Sequence, residues 1–598
     1  MKNFKEKADL IWRVADLLRG DYKQSDYGKV ILPLTVIRRL DSILEPTKQK
    51  VLDILPKYSS LKDAALELAL NKIAGFNFHN KSQFNFDKLI ADPNNIALNL
   101  RNYINGFSSS AREIIEYFNF DDQITRMDDP KADLLFRVIK SFQEIDLKDM
   151  DSMEMGYIFE DLIRRFSEQS NETAGEHFTP REVIRLMVNL LFMEDTAILT
   201  QDGIVKTLYD PACGTGGMLS IGEQYVKELN PKAELKVFGQ EINPESYAIC
   251  KSDMLIKGQN PSNVKFGNTF TVDGLEQEKF DYMLSNPPFG VDWKKAEKTI
   301  KEEADKRGMS GRFGAGLPRI NDGSLLFLQH MISKMKGDGS RIAIVFNGSP
   351  LFTGAAGSGE SEIRKWIIEN DWLEAIVALP DQLFYNTGIS TYIWVVSNKK
   401  SDIRKGKVQL INATGVKDED LVKEGKLDFN RFWQKMDRSL GNKRKKIAEN
   451  GNEKGIGFIS ELYGNFQENE FCKIVPNDFF AYWRITVEQP LVENRKIVMA
   501  KGKPKPDSAL RDYENIPFLR KDEHGKLVPQ TIEEYFDAEV KPHLPDAWID
   551  HSKTKIGYEI NFTKYFYEFK PLRSLEEIKA DILALETKSF ESEKGILG

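Results

Sequence analysis

The run Val205-Lys206-Thr207-Leu208-Tyr209 reads as a strand that passes directly into Asp210-Pro211-Ala212-Cys213-Gly214-Thr215-Gly216-Gly217, with a helix from Met218. Strand, glycine turn, helix is the first unit of a Rossmann-like sheet, and the glycines let backbone approach a ligand closely. This unit commits the chain to an α/β fold that binds at the carboxyl ends of its strands. Two common nucleotide sites match poorly. Leu219 stands where G-x-G-x-x-G needs its third glycine, and no Gly-Lys-Ser/Thr follows as a phosphate loop requires.

Later strands carry polar tips. Leu235 to Gln240 ends at Glu241, where an acid accepts the hydroxyls of a ribose. The competing role for Glu241 is an acid before the helix that begins at Asn243-Pro244-Glu245. Asn268, after Val264-Lys265-Phe266, ends a third strand and is expected to meet the base of the same nucleoside. A fourth, apolar run, Phe280-Asp281-Tyr282-Met283-Leu284, closes with Ser285-Asn286-Pro287-Pro288-Phe289-Gly290. Two prolines stiffen that exit. An amide oxygen (Asn286) and a carbonyl oxygen (Pro287) can both accept hydrogen bonds from an amine. The Phe289 ring can stack on a flat base, worth about 1–3 kcal/mol. Upstream, Glu176-His177-Phe178-Thr179-Pro180-Arg181-Glu182 predicts a helix with Thr179 as N-cap, Pro180 in its first position and Glu182 completing a capping box. Such an N-terminus suits a carboxylate.

Helix cap, glycine loop, ribose acid and Asn-Pro-Pro-Phe follow one another in that order. Together they resemble the gamma-class N6-adenine DNA methyltransferases, and within them the modification subunit of type I restriction-modification systems. The resemblance implies S-adenosylmethionine as cofactor. It would be held by Glu176, His177, Phe178, Thr179, Pro180 and Arg181, by Asp210, Pro211, Ala212, Cys213, Gly214, Thr215 and Gly216, and by Glu241 and Asn268. The implied catalytic set is Asn286, Pro287, Pro288 and Phe289, acting on an adenine flipped out of double-stranded DNA. Cytosine N4, a protein glutamine amide, or a non-catalytic subunit that binds cofactor and DNA remain alternatives. No Pro-Cys nucleophile is present, and Cys213 reads as a spacer.

The net charge of −7 lacks the basic surplus of a protein that grips DNA by itself. The resemblance supplies a reason. A separate specificity subunit would read the sequence, two modification subunits would join each one, and a restriction subunit would add cleavage. No apolar run suggests a membrane span or leader, the 3 cysteines lack metal or disulfide spacing, and no metal is expected. A cytoplasmic location follows from these features.

The expected organisation is a helical N-terminal domain over 1–150, the methyltransferase domain with its Rossmann-like sheet over 151–415, and a mainly helical C-terminal region over 416–598. In the first, Leu10, Ile11, Val14, Leu17 and Leu18 share a helix face. Ser25 is the expected cap of a second helix, kinked or shifted by Pro33, with Arg38 and Arg39 as solvated charges or phosphate ligands. Gly156 to Ile163 starts an amphipathic helix. Residues 291–321 read as a long polar loop, either solvated or meeting DNA phosphate through Lys294, Lys295, Lys298, Lys306, Arg307 and Arg312. Lys443-Arg444-Lys445-Lys446 reads as a solvated basic patch. Ser574 and Glu577 form a capping box before the stripe Leu575, Ile578, Ile582 and Leu585, which packs on its own domain or on a partner.

Overall fold

The apolar runs become strands of one sheet. In this computed structural model, which describes residues 2–58, 60–129, 132–170, 179–385, 387–415, 431–449, 454–500, 502–566 and 574–597, they are β1 (Val205–Asp210), β2 (Glu234–Glu241), β3 (Val264–Phe266), β4 (Tyr282–Ser285), β5 (Arg341–Asn347), β6 (Leu373–Ala378), β7 (Thr391–Ser397) and β8 (Lys407–Asn412). A hairpin, β9 (Trp433–Leu440) and β10 (Lys443–Ile447), precedes β11 (Cys472–Pro476). Among the described residues the sheet order is β11-β8-β6-β7-β5-β4-β1-β2-β3. The run from β5 to β3 is parallel. β7 lies antiparallel between β5 and β6.

The chain goes from β1 outward to β2 and β3, then crosses back so that β4 lies on the other side of β1. That reversal opens a crevice at the carboxyl ends of β1 and β4, where open α/β sheets bind ligands. Central strands covered on both faces need apolar residues throughout. Every residue of β4 and of β6 is accordingly buried.

α1 (Lys2–Trp12) and α2 (Gly28–Ile54) begin the helical N-terminal part. Ser25 lies in a short 3-10 turn and caps nothing, while Pro33 and Pro46 sit inside α2 without ending it. Arg38 and Arg39 are neither solvated nor available to phosphate. Arg38 donates to the carbonyls of Ile145 (2.7 Å) and Gln143 (3.2 Å) and pairs with Asp41 at 2.7 Å. Arg39 is buried and donates to the carbonyls of Leu147, Lys148 and Met150. These carbonyls lie at or beyond the end of the helix Leu134–Gln143, where they lack intrahelical donors.

α3 (Ser152–Ser170), α4 (Arg181–Phe192), α5 (Gly217–Leu229) and α6 (Pro244–Ile256) flank the sheet. Ala248, Ile249 and Leu255 of α6 belong to the same core as the N-terminal helices. The segment 291–321 is folded rather than a solvated loop. It contains α7 (Glu297–Arg307) and closes its own core from Phe270, Trp293, Ala296, Ile300, Phe313 and Leu326.

Beyond residue 415 the chain is still building the sheet, because β11 pairs with β8. The C-terminal region departs from the mainly helical expectation. β12 (Ala481–Glu488) pairs with Asp512–Pro517, Trp548–Ile549 and Lys555–Tyr558. Its aromatic and β-branched residues, Tyr482, Trp483, Ile485, Thr486 and Val487, suit a strand. The basic run 443–446 lies on β10. There Lys443 is buried against Glu182, and Lys445 pairs with Asp381. Met1–Ile560 and Asn561–Gly598 are two separate compact units. The second unit contains α8 (Leu575–Leu597), entered through the expected capping box: Ser574 N donates to Glu577 Oε2 (2.9 Å) and Glu577 N to Ser574 Oγ (3.2 Å). Leu575, Ile578, Ile582 and Leu585 are exposed.

Candidate active site at the carboxyl ends of β1, β2 and β4

The glycine loop is held from both sides. Gly214 and Gly216 take φ of +53° and +86°, a conformation that L side chains rarely adopt. A Cβ at Gly216 would also stand 2.8 Å from Cys250 Sγ. The Gly214 amide donates to Glu241 Oε2 at 2.8 Å, Cys213 N to the Gln240 carbonyl at 3.1 Å, and Thr269 Oγ1 to the Pro211 carbonyl at 2.6 Å. The ends of β1, β2 and β3 are thus tied into one rim.

Glu241 also accepts from the amides of Ile242 (2.9 Å) and Asn243 (2.7 Å) through Oε1. Three backbone donors fix its carboxylate, and burial still raises its pKa. Asp210 Oδ1 accepts from Ala212 N at 2.9 Å and from Ser285 Oγ at 3.0 Å. Burial pushes its carboxyl up to about 7. The Ser285 contact joins β4 to β1 at the crevice.

Asn286 follows directly, and its amide nitrogen donates to Thr179 Oγ1 at 2.8 Å. Thr179 therefore does not cap α4. The helix begins at Arg181 behind Pro180 with no side-chain cap bond, and Glu182 pairs with Lys443 instead of completing a capping box. The threonine hydroxyl is taken by the amide that the Asn-Pro-Pro-Phe turn delivers.

A cavity of about 520 Å³ lies over these strand ends. Of the residues expected from sequence, Thr179, Asp210, Pro211, Ala212, Cys213, Gly214, Thr215, Glu241, Asn268, Asn286 and Pro288 line it. Pro180, Arg181, Gly216, Pro287 and Phe289 are not among its lining residues. Phe289 is buried edge-on against Phe384, with ring centroids 6.3 Å apart. Glu176, His177 and Phe178 lie outside the described residues.

Sequence reasoning missed part of the wall. Glu160 on α3 lines it, as do Ile242, Phe270, Trp293 and Phe327; Lys295, expected only as a possible phosphate contact, lines it too. Ile242 follows Glu241 directly, at the strand tip itself. Trp293 and Phe327 come from a segment read as a loop and from the helix after it, and nothing local marked them. In that segment Arg312 is largely buried against Glu303 and the carbonyls of Thr269 and Phe270, so it is not held ready for phosphate, while Lys306 and Arg307 make only surface pairs with Glu302 and Glu276. Lys294, Lys295, Lys298, Lys306 and Arg307 are exposed.

The arrangement offers carbonyl and amide acceptors beside an apolar, nucleoside-sized cavity carrying a fixed acid at each of two strand ends. Comparison with known proteins agrees with that chemistry. A family model described as N-6 DNA Methylase matches residues 150–475, ending within β11, and one described as HsdM N-terminal domain matches residues 8–142. The chain is 32% identical over 259 residues to the methylase subunit of the type I restriction enzyme MjaIX of Methanocaldococcus jannaschii, covering 43% of each chain. It is 29% identical over 262 residues to the methylase subunit of the type I restriction enzyme HindI of Haemophilus influenzae, covering 43% of this chain and 54% of that one. These alignments span about half the length of the curated relatives. A type I restriction-modification system methyltransferase subunit from Streptococcus thermophilus shares the fold, with a TM-score of 0.60 and 22% identity over 80% of this chain and 96% of that one.

Proposed function

The chain belongs to the N-6 DNA methylase family, whose model matches residues 150–475 of its 598, and from that membership we infer that it transfers a methyl group from S-adenosylmethionine to the N6 amine of adenine in double-stranded DNA. It acts as the catalytic modification subunit of a type I restriction-modification complex. The observation that carries this reading is the Asn286–Thr179 junction, which sets a side-chain amide in the wall of the cavity that Asp210 and Glu241 also line.

The residues present fit the cofactor. The cavity volume lies in the usual range for small-molecule sites, and its wall combines apolar surface with a few polar groups. Glu241 would hold the ribose hydroxyls and Asn268 the adenine, while the 210–216 loop and Thr179 serve the methionine end. When bound, S-adenosylmethionine supplies a methyl group made electrophilic by its sulfonium. The rest falls to the chain's own groups. The lone pair of an adenine amine is delocalised into the ring. By accepting the two amine N–H groups, Asn286 Oδ1 and the Pro287 carbonyl favour the pyramidal nitrogen of the transition state over the planar ground state. Pro287 and Pro288 keep that pair of acceptors rigid. Phe289, which is buried against Phe384 and does not line the cavity, would have to turn outward to stack on a base drawn out of the duplex.

The test supplies methyl-labelled cofactor and unmodified DNA to this chain together with its specificity subunit. Labelled N6-methyladenine that disappears with Asn286→Ala, while cofactor binding stays within about twofold, is the expected result. Labelled N4-methylcytosine would move the substrate, and full turnover by the variant would remove Asn286 from the mechanism.

The partners follow from the same reading. A specificity subunit would read the target and seat two copies of this chain, and a restriction subunit would add cleavage. The net charge of −7 supports such a division of labour, since phosphate binding is then shared. The exposed apolar residues of α8 suit a helical partner. Among the described residues no helix is long and apolar enough to cross a membrane. Host DNA as substrate puts the complex in the cytoplasm.

A further inference from the structure

The run Gly156-Tyr157-Ile158-Phe159-Glu160 has no chemical role in the reading above, yet three of its residues are built around one guanidinium. Arg181 Nη2 lies 2.7 Å from Glu160 Oε1, and Nε lies 3.3 Å from Oε2. The guanidinium carbon stands 4.9 Å from the centre of the Tyr157 ring. A Cβ at Gly156 would collide with Arg181 Nη2, so the close approach requires glycine there. Arg181 itself is only 4% exposed.

The order of these groups matters. Glu160 lines the large cavity and Arg181 does not, so the arginine backs the carboxylate from the protein side. A buried carboxylate costs several kcal/mol unless it is paired. Arg181 meets that cost and aims the group. A carboxylate has about four acceptor positions. Among the described residues the donors to Glu160 come from Arg181 alone. The other two cavity acids, Asp210 and Glu241, are instead bound by backbone amides of their own loops. Glu160 therefore presents its cavity side to a second cation.

The sheet order says which cation. Glu241 and Asn268 end β2 and β3, on one side of β1. Glu160 Oε1 lies 3.4 Å from the Cβ position of Gly217, where the helix after β1 opens. Asn286 and Thr179 are on the β4 side of β1. A nucleoside seated over β2 and β3 leaves its amino-acid end at β1 and β4, beside Glu160.

We propose that Glu160 accepts the α-ammonium group at the methionine end of S-adenosylmethionine, and that Arg181, Tyr157 and Gly156 position it. This rests on the cofactor assignment made under Proposed function. Burial raises the Glu160 carboxyl above its usual range, which an incoming ammonium would reverse. Arg181, assigned by resemblance to the cofactor directly, becomes a positioning residue.

The test is calorimetric binding of two ligands to the full chain. S-adenosylhomocysteine carries the ammonium. 5′-Methylthioadenosine carries the same base, ribose and sulfur without the amino-acid end. Glu160→Gln should weaken the first about ten- to hundredfold, the range for a charge-assisted hydrogen bond, and change the second by less than about twofold. Gly156→Ala, which displaces Arg181, should give the same selectivity at smaller size. Equal weakening of both ligands would make Glu160 a structural residue and overturn the proposal, as would unchanged binding of both. If the wild-type chain bound neither ligand, the cofactor assignment would fall, and the proposal with it.

Discussion

At the level of single residues, burial leaves a titratable signature beside the glycine loop. Asp210 is 2% exposed, and its carboxyl is raised to about 7 by that burial, against roughly 3.9 in an unfolded chain. The folded state therefore binds a proton that the unfolded state has released. The contribution is fully present below the unfolded value and is lost as pH rises through about 7. Asp210→Asn keeps an oxygen to accept from Ala212 N and Ser285 Oγ and cannot ionise. Thermal unfolding should show it gaining on the wild type between pH 5 and pH 8, by roughly 3 kcal/mol. A constant difference across that range would mean Asp210 titrates normally. Such residues were legible in the sequence because they stand at strand ends, where the chain turns from apolar to polar in one step. Asp210, Glu241 and Asn286 all share that position. Glu160 was not legible, because it sits mid-helix and reaches the cavity only through the packing of α3 on the α4 start.

At the level of elements, the segment between β4 and β5 shows where sequence reading stops. Its alternating charges suggest a long polar loop, solvated or facing phosphate, but Glu297–Lys301 and Glu302–Lys306 are i,i+4 pairs on one helix. β12 was missed for a related reason. Its aromatic and β-branched residues lie in a stretch rich in charged residues, which hides the strand pattern. The inserted segment closes over the site through Arg312, which donates to the carbonyls of Thr269 and Phe270 at 2.9 Å each and pairs with Glu303 at 2.7 Å. Those carbonyls follow Asn268, and Phe270 and Trp293 line the cavity. Arg312→Met should destabilise the chain by about 3 kcal/mol, since it strands a largely buried Glu303, and should weaken S-adenosylhomocysteine binding. Arg312→Lys should not restore either property, because a compact ammonium lacks the planar fork whose two ends reach separate carbonyls while Nε and Nη2 face the carboxylate. Matching melting curves and affinities for wild type and Arg312→Met would show that the insert holds itself in place without this clasp.

For the whole molecule, the two ends of the chain should behave differently when removed. The N-terminal helices share a core with Ala248, Ile249 and Leu255 of α6, Lys251 pairs with Glu113 at 2.8 Å, and Tyr117 packs edge-on against Tyr247 at 4.7 Å. The helix that follows Glu241 is thus half a sheet helix and half an N-terminal one. A chain lacking residues 1–142 would expose those side chains directly behind Glu241, so it should aggregate and lose cofactor binding. The far end carries a compact unit of its own, Asn561–Gly598, with a capped helix and exposed Leu575, Ile578, Ile582 and Leu585. Ending the chain at residue 573 should leave the melting temperature and S-adenosylhomocysteine affinity unchanged. The same truncation should abolish co-purification with the specificity subunit, and with it sequence-specific methylation. Retained assembly by the truncated chain would place the partner interface elsewhere. Loss of cofactor binding would instead make the last helix part of the catalytic fold.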